Sequence, residues 1–107
     1  MKSVIAQHFV VDCYDNDFDN FEDVVSAYHT DVTEDDIIIL YADYTYEDYS
    51  GYSEVYFFDK RDGLFYEVHG GHCSCYGLED QWEPEVIGGL YDTLEYLKRQ
   101  GMNKILK

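Results

Sequence analysis

Between Ser3 and Asp59 the chain carries fifteen Asp and Glu residues and not one Lys or Arg. No carboxylate in that stretch can be neutralised by a fixed cation from the same stretch, so these groups either stay hydrated or meet something basic. They set most of the formal net charge of −16. A chain with this field is repelled by anionic membrane surfaces and by nucleic-acid backbones, which excludes both as direct partners.

The acidity does not mean disorder. Apolar residues make up 46% of the 107 and aromatics 18%, with twelve Tyr and six Phe, whereas a disordered acidic tail is poor in aromatics. Residues 1–107 are expected to form one domain that buries roughly 60–70% of the unfolded chain's surface. Repulsion among the carboxylates predicts that added salt raises the melting temperature. Cys13, Cys73 and Cys75 are odd in number, and the last two are too close to bridge comfortably, which favours reduced thiols. Met1–Val11 lacks a basic start followed by a long apolar run. No segment approaches the ~18–20 apolar residues of a membrane span. The expected location is the cytoplasm of a host cell.

Ser3–Tyr14 is β-branched enough for a strand, yet Ile5, Phe9 and Cys13 also fit a helical face. Phe18, Phe21, Val25 and Tyr28 predict a helix over 18–29, with Asp19, Glu22 and Asp23 at the positive end of its dipole. Residues 37–46 predict a strand, and Tyr52–Asp59 and Leu64–His69 a hairpin around the Asp62-Gly63 turn. Pro84 as first helical residue, the stripe Ile87, Leu90, Leu94 and Leu97, and Gly101 predict a second helix over 84–100. The expected class is α+β: a three- or four-stranded antiparallel sheet with two helices.

Four constellations could carry chemistry. From Tyr41 to Tyr56 six Tyr interleave with Asp43, Glu47, Asp48 and Glu54, and Tyr gives rigid contact area with a polar tip. This arm reads as a decoy surface for a protein that grips nucleic acid, or as a solvated sheet face. A chain of 12.6 kDa exposes about 6,200 Å², so evenly spread net charge is one unit per ~390 Å², against one per ~107 Å² on a duplex cylinder. Mimicry therefore requires one-sided gathering of the acids. Second, His69, His72, Cys73 and Cys75 are zinc-type ligands, although structural sites usually split into two pairs separated by a longer loop. Third, Asp15, Asp17 and Asp19 have the opening spacing of a calcium loop, but Asn20 and Ser26 replace its sixth-position Gly and twelfth-position Glu. Fourth, His72, Cys73 and Glu79 can be drawn as a catalytic set, but no nucleophile elbow or phosphate-cradling loop supports it.

The segment Gly63–Glu85 contains Leu-Phe-Tyr-Glu-Val, then His72-Cys-Ser-Cys-Tyr-Gly77, then Gln81-Trp-Glu-Pro-Glu85. It resembles small phage and prophage proteins of unassigned function. The resemblance spans about a third of the chain and implies a phage-type origin and a host-cell setting, with no activity attached. The acidic half lies outside it.

The expectation is a non-enzymatic, cofactor-free inhibitor that occupies the nucleic-acid groove of a basic host defence protein, such as a CRISPR effector or restriction enzyme. Asp15, Asp17, Asp19, Glu22, Asp23, Asp43, Glu47, Asp48 and Glu54 are the expected charge contacts, with Tyr44, Tyr46, Tyr49 and Tyr52 as anchors. The alternatives are a zinc-stabilised module on His69, His72, Cys73 and Cys75, or a small-ligand protein using the aromatic loop around Tyr76 and Trp82, with acidity serving only solubility.

Overall fold

The computed structural model describes residues 1–47, 50–72 and 77–107. Among them, five strands form one mixed sheet in the order β1 (Cys13–Asn16), β2 (Ile37–Glu47), β3 (Ser50–Asp59), β4 (Leu64–His72), β5 (Glu85–Gly88). Helix α1 (Lys2–Ile5) is one turn, α2 (Phe21–Tyr28) packs on one sheet face, and α3 (Leu90–Arg99) on the other. The class is α+β, but the sheet has five strands where three or four were expected, one of its pairs is parallel where all were expected antiparallel, and there are three helices where two were expected.

That parallel pair has a simple cause. The chain leaves β1, passes through α2 and re-enters the sheet as β2, and a crossover through a helix returns the next strand in the same direction. The other three ladders are antiparallel. The Ser3–Tyr14 stretch divides: Ile5 and Phe9 are buried beneath the α3 side, Phe9 makes a single bridge to Leu106, and the ladder with β2 starts only at Cys13.

Helix α2 is shorter than the expected 18–29 and begins at Phe21 behind an Asn20 cap, so Phe18 and Asp19 precede it while Glu22 and Asp23 lie in its first turn. The Asn20 side chain accepts from the Asp23 N–H at 2.9 Å, while Asp23 accepts from the Asp19 N–H at 2.8 Å. His29, left-handed at φ 54°, ends it. The 84–100 helix needs correction. Pro84 does not start a helix; Glu85–Gly88 pairs with β4, Gly88 turns at φ 138°, and α3 starts at Leu90. The apolar stripe survives the change, since Ile87 packs in the same cluster as Leu90, Leu94 and Leu97.

Ile37 to Ala42 are all buried because β2 is sandwiched between helices. Ile37, Ile39 and Ala42 meet Phe21, Val24, Val55 and Phe57 under α2, whereas Ile38, Leu40 and Tyr41 meet Tyr56, Phe58, Phe65 and Leu97 under α3. A bulge between Ile39 and Tyr41 lets Leu40 and Tyr41 share a face. No helix among the described residues is long and apolar enough to cross a membrane.

Candidate protein-interaction face at the open end of the sheet

The strands define two ends. At one, Ile37, Asp59 and Leu64 lie together beside the Lys60–Gly63 turn; at the other, Asn16, Glu47, Ser50 and His72 come together. The register across the second end produces a row not visible in the linear sequence. Asp15 pairs with Asp43, Asp43 with Glu54, and Glu54 with His69. Because the bulge sets the face of Asp43, all four side chains point to the α3 side. Three carboxylate-bearing residues thus stand directly opposite one another on successive strands, whose spacing is about 4.8 Å.

Like charges in that relation destabilise a sheet. Glu54 records the cost: partial burial, with Asp43 and Glu67 nearby, pushes its carboxyl above the usual range, against the pull of His69 and Lys104. Asp43 accepts a hydrogen bond from Asn16 at 2.5 Å, and Asp15 accepts from the Tyr41 hydroxyl at 2.8 Å. The His69 ring lies 2.6 Å from Glu67 by Nε2 and 2.7 Å from the Tyr52 hydroxyl by Nδ1, which fixes its orientation. Beyond this row Thr45, Tyr52 and Gly71 are exposed, so no element of the described chain covers the sheet there.

Cations are few at this end. Lys104 sits 4.0 Å from Asp15 and donates to the Tyr41 hydroxyl at 2.9 Å. The remaining ion pairs with fixed cations among the described residues are Lys2 with Asp12 and Arg61 with Asp59, and Lys60 donates to the Glu34 carbonyl.

The other expected contacts are dispersed around this end. Asp17 is exposed, its N–H bonded to the Tyr44 carbonyl. Asp19, Glu22 and Asp23 open α2, where Asp19 and Asp23 serve the cap. Tyr44 and Tyr46 fall on the α2 side; Tyr44 is half-buried against Phe18 and His72, while Tyr46 remains 48% exposed with its ring 4.5 Å from His72. Tyr52, also 48% exposed, is on the α3 side beside the row. Glu47 is exposed at the strand tip. Asp48 and Tyr49 lie outside the described residues.

The His/Cys cluster is split by strand alternation. His69 faces Tyr52 and Tyr56, whereas His72 faces Tyr44 and Tyr46 on the opposite side of the sheet. One ion cannot be held by both imidazoles. Cys73, Cys75 and Tyr76 are outside the described residues, and no group of three ligand-type side chains that could hold a metal occurs among the described ones. The Asp15–Asp19 run is likewise divided between strand, turn and cap. Trp82 is packed between Tyr28 and Phe57, with ring centroids 5.3 and 5.4 Å away, and is only partly open to a ligand.

Two members of the row escaped the sequence reading, His69 as a neighbour of Glu54 and Lys104 as its cation. The first was recoverable: counting back along the hairpin from the Asp59–Leu64 pair places Glu54 opposite His69. Lys104 had no local signal, since it arrives from 63 residues beyond Tyr41. The chain matches no protein-family model, and comparison with curated proteins and with solved structures gives no match.

Proposed function

We propose that the protein is a phage-encoded, non-enzymatic inhibitor that presents the open end of its sheet to the basic nucleic-acid-binding groove of a host defence protein, of the CRISPR-effector or restriction-enzyme kind. The supporting observation is the in-register row Asp15–Asp43–Glu54. Folding alone does not account for it, because three facing carboxylates weaken the sheet that carries them. A cationic groove would relieve that repulsion on binding.

Magnitude supports the reading locally. The surface of 6125 Å² dilutes the net charge far below that of a duplex, but the row carries one carboxylate per strand at a strand spacing of about 4.8 Å, within about 1.5-fold of the one charge per ~3.4 Å along a single DNA strand. The resemblance of residues 63–85 to phage proteins supplies the host-cell setting. Charge-led association is fast and falls steeply with salt.

The test is displacement of a labelled duplex from purified host effectors. The protein should release the duplex at 0.05 M NaCl and fail at 0.5 M, and the Asp15→Asn/Asp43→Asn/Glu54→Gln variant should fail at both. Equal displacement at the two salt concentrations, or by the triple variant, overturns the proposal.

A further inference from the structure

The row is not wholly empty of cations, and the one it holds indicates what else it accepts. The Lys104 ammonium lies 4.8 Å from the centre of the Tyr41 ring, 2.9 Å from its hydroxyl and 4.0 Å from Asp15, whose carboxylate accepts a hydrogen bond from the Tyr41 hydroxyl at 2.8 Å. An ammonium over an aromatic face and against a carboxylate is a bound cation in all but connectivity. Its position is held by the fold. The Val10 N–H donates to the Ile105 carbonyl, the Lys107 N–H donates to the His8 carbonyl, and Phe9 bridges to Leu106.

The other end of the row offers the same chemistry without a Lys or Arg ion pair among the described residues: Asp43 takes the Asn16 amide at 2.5 Å and Glu54 stands opposite His69. Asp43 and Glu54 face each other across β2 and β3, and Tyr52, one pleat further on the same face, is half-exposed with its hydroxyl fixed by His69. We propose that arginine side chains of a partner helix dock along Asp15, Asp43 and Glu54 beside Tyr52, and that Lys104 already occupies the Asp15 position as an intramolecular competitor. This rests on the decoy reading above and names the contact within it.

Arginine suits the site better than lysine. Its planar fork spans two carboxylates at cross-strand separation and its face stacks on Tyr. A helix suits it better than a strand, because a helix laid across β1, β2 and β3 repeats every 5.4 Å, near the ~4.8 Å strand spacing. Arginines at i, i+4 and i+7 then meet successive carboxylates. An internal cation at one position limits how strongly a generic polycation binds.

The experiment uses the full chain and a synthetic helical peptide bearing arginine at i, i+4 and i+7 on an alanine–glutamine background, with binding read by fluorescence anisotropy at 0.05 M NaCl. Lys104→Met, which keeps the aliphatic stem over Tyr41, should tighten the peptide about fivefold, as expected for one charge removed at contact distance in a fully water-screened site. Lys60→Met makes the same change in net charge at the opposite end of the sheet and should tighten it less than about twofold. Lys104→Arg keeps the competitor and should bind as the wild type does. Adding Glu54→Gln to Lys104→Met should reverse most of the gain. Equal tightening by Lys104→Met and Lys60→Met, or no loss with Glu54→Gln, overturns the proposal. The peptide needs no effector, so this contrast is read independently of whether duplex displacement succeeds.

Discussion

The two ends of the sheet handle acid in opposite ways. At the Lys60–Gly63 end, Asp59 is buried yet well served: its carboxylate takes the Arg61 backbone N–H at 2.9 Å and the guanidinium through Nε and Nη2 at 3.0 and 2.9 Å. That bidentate grip holds its carboxyl below the usual range. At the open end Glu54, opposite Asp43, is held above the usual range by burial and like charge. One end uses its carboxylates to close a turn; the other holds them facing each other. Equal acidity in sequence therefore carries opposite signs of stability, and that asymmetry points to the open end as the working surface.

The largest expected effect tests whether the open end is a rigid platform. A Cβ on Gly51 would lie 2.5 Å from the Thr45 carbonyl and 3.3 Å from the Tyr44 ring. Gly51→Ala should therefore displace the strand tip, cost about 1–3 kcal/mol and lower duplex displacement, whereas Gly63, with nothing within 4 Å, has no such clash to relieve. A fully active Gly51→Ala would break the link between tip geometry and function. Next is Asp59→Asn, which weakens a charge-assisted fork and should cost about 1–2 kcal/mol by urea unfolding without altering partner binding.

Glu54→Gln should go the other way, stabilising the fold by about 0.2–1 kcal/mol through removal of a facing like charge, while weakening the arginine peptide. Gain of stability with loss of binding is the signature that separates a functional row from a structural one. The pH dependence follows from the same two groups. Glu54, raised in the folded state, binds a proton more readily there than in the unfolded chain, so its ionisation subtracts stability as pH rises past the ordinary Glu range. Asp59, lowered in the folded state, adds stability above the ordinary Asp range and loses it as pH falls towards its depressed value. The advantage of Glu54→Gln over wild type should thus be larger at pH 7 than at pH 4, and the deficit of Asp59→Asn should shrink as pH falls below the ordinary Asp range. Thermal melts across that interval check both signs.

The smallest effect is global. Raising NaCl from 0.05 to 0.5 M shortens the screening length severalfold and should raise the melting temperature by a few degrees, with Asp43→Asn/Glu54→Gln responding less than wild type. An equal response would mean that repulsion is spread over the whole surface.

Much of the frame was legible locally. The Asp62-Gly63 turn, with Gly63 at φ 75°, the β-branched run from Ile37, and the Phe21 and Tyr28 members of the α2 stripe are signals read over a few residues, and they lie where the sequence places them, although Val24 rather than Val25 is the fully buried valine. The failures came where the deciding partner was distant. Pro84–Gly88 reads as a helix start because Pro84 and Ile87 fit one, yet the free edge of β4 supplied backbone partners that a first helical turn could not match. Ser3–Tyr14 could not reveal a parallel strand because its partner, β2, lies beyond an entire helix.

The amino-acid order alone determined that the chain is acidic, aromatic, folded and short of cations through its first half, because charge and side-chain type need no neighbours to define them. Only the tertiary structure decided where the acid acts. A single extra residue in β2, the bulge between Ile39 and Tyr41, moves Asp43 from the α2 side to the α3 side and lines it up with Asp15 and Glu54. Alternation along a strand has period two, so one inserted residue exchanges the two faces, and whether that insertion occurs depends on packing from both layers at once.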